Sequence, residues 1–230
     1  MGLRLGDEFP DFSAAAYPDN IESFHKFIGT NWVILFSHPA DFTPVCTTEL
    51  ARVHQLADEF AKRKVRLVAL SCDDVNSHAG WSADILHYAG SKNGQKTDSS
   101  LAFSIIADSK RELAEMLGMI DPDEKDSNGI PLTARAVFVI GPDKKLKLSI
   151  LYPATVGRNF DEIIRIVDAL QLTASKPVAT PVDWQPGKAC MVVPTLSPDE
   201  AAKMFDKIKI HQLPSGKQYL RETVLAVEKE

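Results

Sequence analysis

Two apolar runs of strand length, Asn31-Trp-Val-Ile-Leu-Phe-Ser37 and Val65-Arg-Leu-Val-Ala-Leu-Ser71, bracket a single amphipathic segment. No other feature restricts the fold as much. The first run stops at His38-Pro39, where proline ends a strand and biases the preceding residue toward extended geometry. Thr43-Pro44 then reads as a helix start, with Thr43 as the N-cap and proline at the first helical position. Leu50, Val53, Ala57 and Phe60 recur on one helical face, and Lys62-Arg63-Lys64 closes the segment with the charge that the helix dipole prefers. Strand, helix, strand implies a right-handed parallel crossover, and so an α/β protein.

The rest of the chain extends this pattern. A helix is expected from about Val75 to Tyr88, then a polar loop over 91–100, a short strand at Phe103–Ile106 and a short helix at Ser109–Leu117. Ala134–Ile140 and Leu146–Tyr152, joined by Gly141-Pro-Asp-Lys, read as an antiparallel hairpin. Phe160, Ile163, Ile164, Val167 and Leu170 mark a further amphipathic helix. After Leu172 the texture becomes rich in proline and small residues, and Ser197-Pro-Asp-Glu200 opens a last helix with a capping box. These signals divide the chain into a domain over 1–172 and an arm over 173–230.

Composition narrows the function classes. Of 230 residues, 44% are hydrophobic and 25% charged, which excludes a disordered or fibrous chain. A net charge of −5 argues against nucleic acid or anionic lipid as a partner held by bulk electrostatics. The densest apolar stretch, Val65–Cys72, is strand-sized, and the opening MGLRLGDEFPDF meets acidic residues before a signal-peptide core could form. No membrane anchor is expected. Three cysteines without a CxxC pair make neither a disulfide framework nor a zinc site. The expectation is a cytoplasmic protein with reduced thiols, no metal and no cofactor.

Cys46 is the most informative residue. It sits on the first turn of a helix, directly after a strand and a proline-bracketed loop, where unpaired backbone N–H groups and the positive dipole end favour thiolate. The plain alternative is a buried structural cysteine. His38, Thr43 and Glu49 weigh against it, because a structural thiol is surrounded by aliphatic side chains. By itself, His38 fits a ligand or acid–base role as well as strand-end packing.

Pro39-Ala-Asp-Phe-Thr43-Pro-Val-Cys46 resembles the PxxxTxxC signature of the peroxiredoxins, which are thiol peroxidases. The longer string FSHPADFTPVCTTEL is similar to the one-cysteine (peroxiredoxin 6) subgroup, and the similarity continues through DKKLKLSILYPATVGRNFDEI and the arm. The resemblance implies a thioredoxin-like fold with a mixed central sheet and a C-terminal extension. It implies that Cys46 is the peroxidatic nucleophile, that Thr43 hydrogen-bonds thiolate and peroxide, and that Pro39 shields the thiolate from water. It places the family's pocket arginine at Arg135, a second arginine at Arg158, and the carboxylate that orients an arginine at Glu49. His38 matches a subgroup position near the thiol. Arg135 and Thr43 are the expected donors to the oxygen that leaves when the O–O bond breaks, and the product is a sulfenic acid on Cys46.

The arm indicates how that sulfenic acid is resolved. Two-cysteine peroxiredoxins carry a resolving cysteine in a C-P-x-x-W-x-P-G context, whereas this chain reads Thr180-Pro-Val-Asp-Trp184-Gln-Pro-Gly187. Cys190 lies outside the motif, and Cys72 reads as a small buried hydrophobe. An external thiol is therefore expected as reductant, with glutathione first, and the resemblance implies a homodimer. Some members of the subgroup are credited with a phospholipase activity that needs a serine in a GxSxG-like turn. Here Asn31 stands in its place, beside His25 and Asp143 at the other matching positions, so no such activity is expected. A holdase or redox-signalling role stays open beside the peroxidase.

Overall fold

In a computed structural model, residues 2–93 and 99–225 are described. The middle of the polar loop expected over 91–100 lies outside them. Two compact units divide the chain, Met1–Phe160 and Asp161–Glu230.

The first unit is organised around Trp32–Ser37, which follows a short strand, β1 (Ala16–Tyr17), and a one-turn helix, α1 (Phe24–Ile28), and is therefore β2. Five of its six residues are buried, so both its faces are covered, as its unbroken apolar run requires. On one side β2 pairs in parallel with β3 (Val65–Ser71), which pairs in parallel with β4 (Ser104–Ala107). On the other side β2 pairs antiparallel with Arg135–Ile140, which pairs antiparallel with Leu146–Tyr152. With a two-stranded excursion at Ile120–Lys125 (β5) and Pro131–Thr133 (β6), these last two are β7 and β8. β1 closes the far edge against β4, and the six-stranded sheet runs β1-β4-β3-β2-β7-β8. It is the mixed sheet of a thioredoxin-like fold.

The crossover helix departs from expectation in an instructive way. It is broken into α2 (Pro44–Gln55) and α3 (Ala57–Lys62) at Leu56, whose backbone (φ −94°, ψ 3°) is not helical. The break shifts the phase by one residue: Leu50, Val53, Leu56 and Phe60 are buried, and Ala57 is not fully so. Thr43 is extended at the N-cap, but its hydroxyl makes no cap bond. It donates instead to the Ala40 carbonyl, 2.8 Å away.

Two other elements differ from the sequence reading. The helix expected over Val75–Tyr88 runs on to Asn93 as α4 (Val75–Asn93). The one expected from Ser109 begins only at Glu112, as α5 (Glu112–Met116). Arg111 adopts left-handed geometry (φ 63°), which blocks an earlier start, and its guanidinium reaches the Pro131 carbonyl (2.7 Å) and Asp126 (3.1 Å).

The second unit contains nearly all of α6 (Phe160–Ser175), so the structural division falls before that helix and the sequence division after it. Four short antiparallel strands follow in the order β11-β12-β10-β9: Val178–Ala179 (β9), Cys190–Val192 (β10), Lys209–Ile210 (β11) and Arg221–Thr223 (β12). Val178, Trp184, Cys190, Val192, Ala201 and Phe205 form their core, with Ala169 and Leu172 of α6 packed on it. Helix α7 (Pro198–Met204) opens with the complete capping box that Ser197 and Glu200 signalled.

Candidate active site

The loop from His38 to Thr43 carries the chain from the C-terminal end of β2 into α2. Phe42 sits in left-handed geometry (φ 54°), which a bulky side chain rarely adopts. Its ring lies 6.3 Å from that of Trp81. That turn brings Cys46 to the third position of α2, fully buried. Glu49 follows one turn later, and residues three apart share a helix face, so thiol and carboxylate point the same way.

Arg135, the first residue of β7, reaches this face from the sheet. Its Nη1 donates to Cys46 Sγ at 3.3 Å and to Glu49 Oε2 at 2.8 Å. Its Nε and Nη2 both donate to the Ala154 carbonyl, at 2.8 and 2.6 Å, which fixes the guanidinium plane. Arg158 holds the carboxylate from the other side. Its backbone N–H (2.6 Å) and Nε (3.0 Å) donate to Glu49 Oε1, and Nη2 donates to Oε2 at 2.7 Å. Its Nη1 caps the carbonyls of Ser37 and Ala136, at 2.8 and 2.6 Å. The guanidinium lies between the rings of Phe36 and Phe160, 5.6 and 5.5 Å from their centroids.

Glu49, Arg135 and Arg158 are all buried, so the charges are compensated only by one another. Burial pushes the Glu49 carboxyl up, but the Arg158 charge and hydrogen bonds, with Arg135 behind them, outweigh it and hold the group below the ordinary glutamate range. The site carries a net positive guanidinium aimed at a sulfur atom. That arrangement gives the sulfur a fixed hydrogen-bond donor and offers the same donor to an oxyanion formed next to it.

Cys46, Arg135, Glu49 and Arg158 are thus joined in one network. Thr43 lies on the same turn, but its proton is committed to Ala40, which leaves its oxygen as an acceptor. Pro39 is buried in the loop. His38 is drawn into a second network. Its Nε2 is 2.9 Å from Asp41 Oδ1, while Asp41 Oδ2 receives His78 Nδ1 (2.7 Å) and the Ser77 hydroxyl (2.8 Å). Asp41, Ser77 and His78 are the residues that sequence reasoning missed. The signal was the spacing of His38 and Asp41, three apart, with Asp41 inside the signature and His38 just before it.

His38, Asp41 and Asp73 form the group among the described residues with donor types that suit a metal ion. Its oxygens already accept internal hydrogen bonds, Asp73 from the Asp41 N–H and the Ser71 hydroxyl, both at 2.9 Å. It therefore reads as a hydrogen-bond network rather than a ligand set. Among the described residues no helix is long and apolar enough to cross a membrane. His25, Asn31 and Asp143 each bond locally, to the Phe9 carbonyl, the Ile28 carbonyl and Lys147 respectively.

A buried cysteine at a helix start, set against a fixed guanidinium on a thioredoxin-like sheet, suits thiol chemistry. Comparison with known proteins shows the family. The AhpC/TSA family matches residues 5–149, and the C-terminal domain of 1-Cys peroxiredoxin matches residues 169–207. Peroxiredoxin-6 of Mus musculus is 61% identical over 223 residues, 96% of this chain and 97% of its own. The crystal structure of a Cys→Ser mutant of the Peroxiredoxin 6 of Arenicola marina superposes with a TM-score of 0.92 at 56% identity, covering 97% of this chain and 98% of that one. A yeast mitochondrial 1-Cys peroxiredoxin, described as resolved through glutathione and thioredoxin systems, gives 0.85 at 41% identity, covering 97% of this chain and all of its own. The chain belongs to the one-cysteine peroxiredoxins and is a thiol-dependent peroxidase.

Proposed function

We propose that Cys46 is the peroxidatic nucleophile, acting on hydrogen peroxide and organic hydroperoxides. Its thiolate attacks the peroxide oxygen that carries hydrogen. The S–O bond forms as the O–O bond breaks, and the hydroxide or alkoxide that leaves takes up a proton as water or alcohol. Arg135 stabilises both the thiolate and the charge growing on the leaving oxygen. Glu49 and Arg158 hold Arg135 in that pose. Thr43 accepts a hydrogen bond from the bound peroxide, Pro39 keeps water from the thiolate, and His38 supports the pocket. The observation that carries this reading is the 3.3 Å bond from Arg135 Nη1 to Cys46 Sγ.

The sulfenic acid then condenses with an external thiol, releasing water and leaving a mixed disulfide that a second thiol reduces. Glutathione is the first candidate, in line with the yeast relative's description. Cys190 lies buried in the core of the second unit, and burial pushes its thiol up, so it is a poor resolving nucleophile. A peroxidase domain over 1–172, an arm over 173–230 that makes a homodimer, and a cytoplasmic setting for three free thiols complete the reading.

Stopped-flow oxidation of the reduced protein by hydrogen peroxide, beside Cys46→Ser, tests it. Fast second-order oxidation confined to Cys46, with sulfenic acid and no internal disulfide by mass spectrometry, is expected. Reaction no faster than free cysteine, or a Cys46–Cys190 disulfide, overturns it. Light scattering tests the dimer, which a monomeric mass excludes, and cell fractionation tests the compartment.

A further inference from the structure

Asp41 is a carboxylate shared by two buried histidines, and the geometry determines where the protons are. A carboxylate only accepts, so both nitrogens facing it, His38 Nε2 at 2.9 Å and His78 Nδ1 at 2.7 Å, carry hydrogen. The other nitrogen of His78, Nε2, faces the Ile106 carbonyl at 3.3 Å. The other nitrogen of His38 has no partner among the described residues. Its Nδ1 is buried and unsatisfied among groups that are otherwise paired. An orphan acceptor of this kind costs about 1–3 kcal/mol and calls for a reason.

We propose that Asp41 and His78 are positioning residues that lock His38 as the neutral Nε2–H tautomer, keeping its Nδ1 lone pair available to accept an O–H of incoming hydrogen peroxide. This rests on His38 being a site residue, as read above. The carboxylate is held in place by its other partners: Oδ2 is engaged by His78 Nδ1 and the Ser77 hydroxyl, which leaves Oδ1 to orient His38. Burial also holds His38 below the ordinary histidine range, against the opposing pull of Asp41 and Asp73 and together with repulsion from His78. A protonated Nδ1 could not accept. The His38 ring also packs against Trp81, 5.2 Å between centroids, and Trp81 Nε1 donates to Thr47 Oγ1, the neighbour of Cys46, at 3.1 Å. The histidine network and the thiol turn are therefore braced by the same indole.

The test is a double-mutant cycle on the full chain, read as the rate constant of Cys46 oxidation by hydrogen peroxide. His38→Gln is expected to slow the reaction about ten- to a hundredfold, as when an oriented imidazole is lost. Asp41→Asn is expected to slow it by a similar factor, and the double variant no further than His38→Gln alone. An Asp41→Asn effect that persists in the His38→Gln background marks a merely structural role and overturns the proposal. So does an unchanged rate in Asp41→Asn beside a slow His38→Gln. An unchanged rate in His38→Gln instead removes the reading of His38 itself, while the Cys46 chemistry stands. If Asp41→Asn does not fold, His78→Gln takes its place in the cycle with the same expectations. Long-range proton–nitrogen NMR of the native protein gives an independent readout: hydrogen on His38 Nε2 is expected, and hydrogen on Nδ1 overturns the lock.

Discussion

Arg158 meets Glu49 with both its backbone and its guanidinium: the N–H and Nε share Oε1 at 2.6 and 3.0 Å, and Nη2 takes Oε2 at 2.7 Å. The carboxylate is thereby immobilised on α2, and its remaining capacity is directed at Arg135. The arginine that touches the sulfur is held by a residue that touches neither sulfur nor substrate.

Arg135 should not be replaceable by lysine. One guanidinium serves Cys46 Sγ, Glu49 Oε2 and the Ala154 carbonyl at once, and an ammonium lacks that planar fork. Arg135→Lys and Arg135→Met are both expected to lower the stopped-flow rate constant with hydrogen peroxide by roughly 10²–10³. A lysine variant within a factor of a few of the native rate contradicts the bidentate role.

Removing the carboxylate should damage the fold as well as the chemistry. Glu49→Ala leaves two buried guanidinium groups facing each other without their counter-charge. A loss of about 3–5 kcal/mol is expected in urea unfolding. A variant as stable as the native chain means that water reaches the site and screens the pair.

Acid should weaken the protein in a defined window. Glu49 lies below its ordinary value of 4.5. Asp41 lies below 3.8, where burial pushes upward and is outweighed by the hydrogen bonds from His38 and His78. Both carboxyls therefore take up protons more readily in the unfolded state, so stability falls as the pH falls. The contribution of these two carboxyls is present above about pH 4.5 and is lost progressively below. Urea midpoints at pH 7, 5, 4 and 3 should trace this, with a shallower decline in Glu49→Gln. An equal slope in that variant assigns the acid sensitivity elsewhere.

The thiols should separate by reactivity. Burial pushes Cys72 up to about 11, with the nearby Arg111 opposing, so it stays a thiol at pH 8. Peroxide followed by dimedone at that pH should label Cys46 alone. Peptide mapping that finds adducts on Cys72 or Cys190 at comparable speed refutes this.

Ser37 should prove structural rather than chemical. Its hydroxyl donates to the Ala134 carbonyl at 2.7 Å and accepts from the Ala136 N–H at 3.1 Å, stitching the end of β2 to the start of β7. Ser37→Ala is expected to cost about 1–3 kcal/mol, since it leaves buried backbone groups unpaired. Loss of activity without loss of stability would assign it to the site instead.

Local pattern alone determined the strand–helix–strand unit, the β7–β8 hairpin, the capping box at Ser197 and the placement of Cys46 on a helical first turn. Each depends on residues within a turn or a strand of one another, where periodicity, proline and capping residues act directly. The spacing of Cys46 and Glu49 was legible for the same reason. Only the tertiary structure decided that Arg135 and Arg158 converge on them, because those partners come from far along the chain and meet through sheet pairing. Left to the residues, Arg135 could only be told from a surface arginine by its apolar neighbours; the resemblance to the family placed it, and the distances came from the fold. The break at Leu56 and the late start of α5 at Glu112 were invisible, since backbone set by distant packing overrides local propensity there. The pairing of Asp41 with His78 was invisible too. An aspartate in a loop and a histidine on a helix become a proton-ordering pair only when the chain that separates them folds both into the same dry interior, where each must satisfy the other.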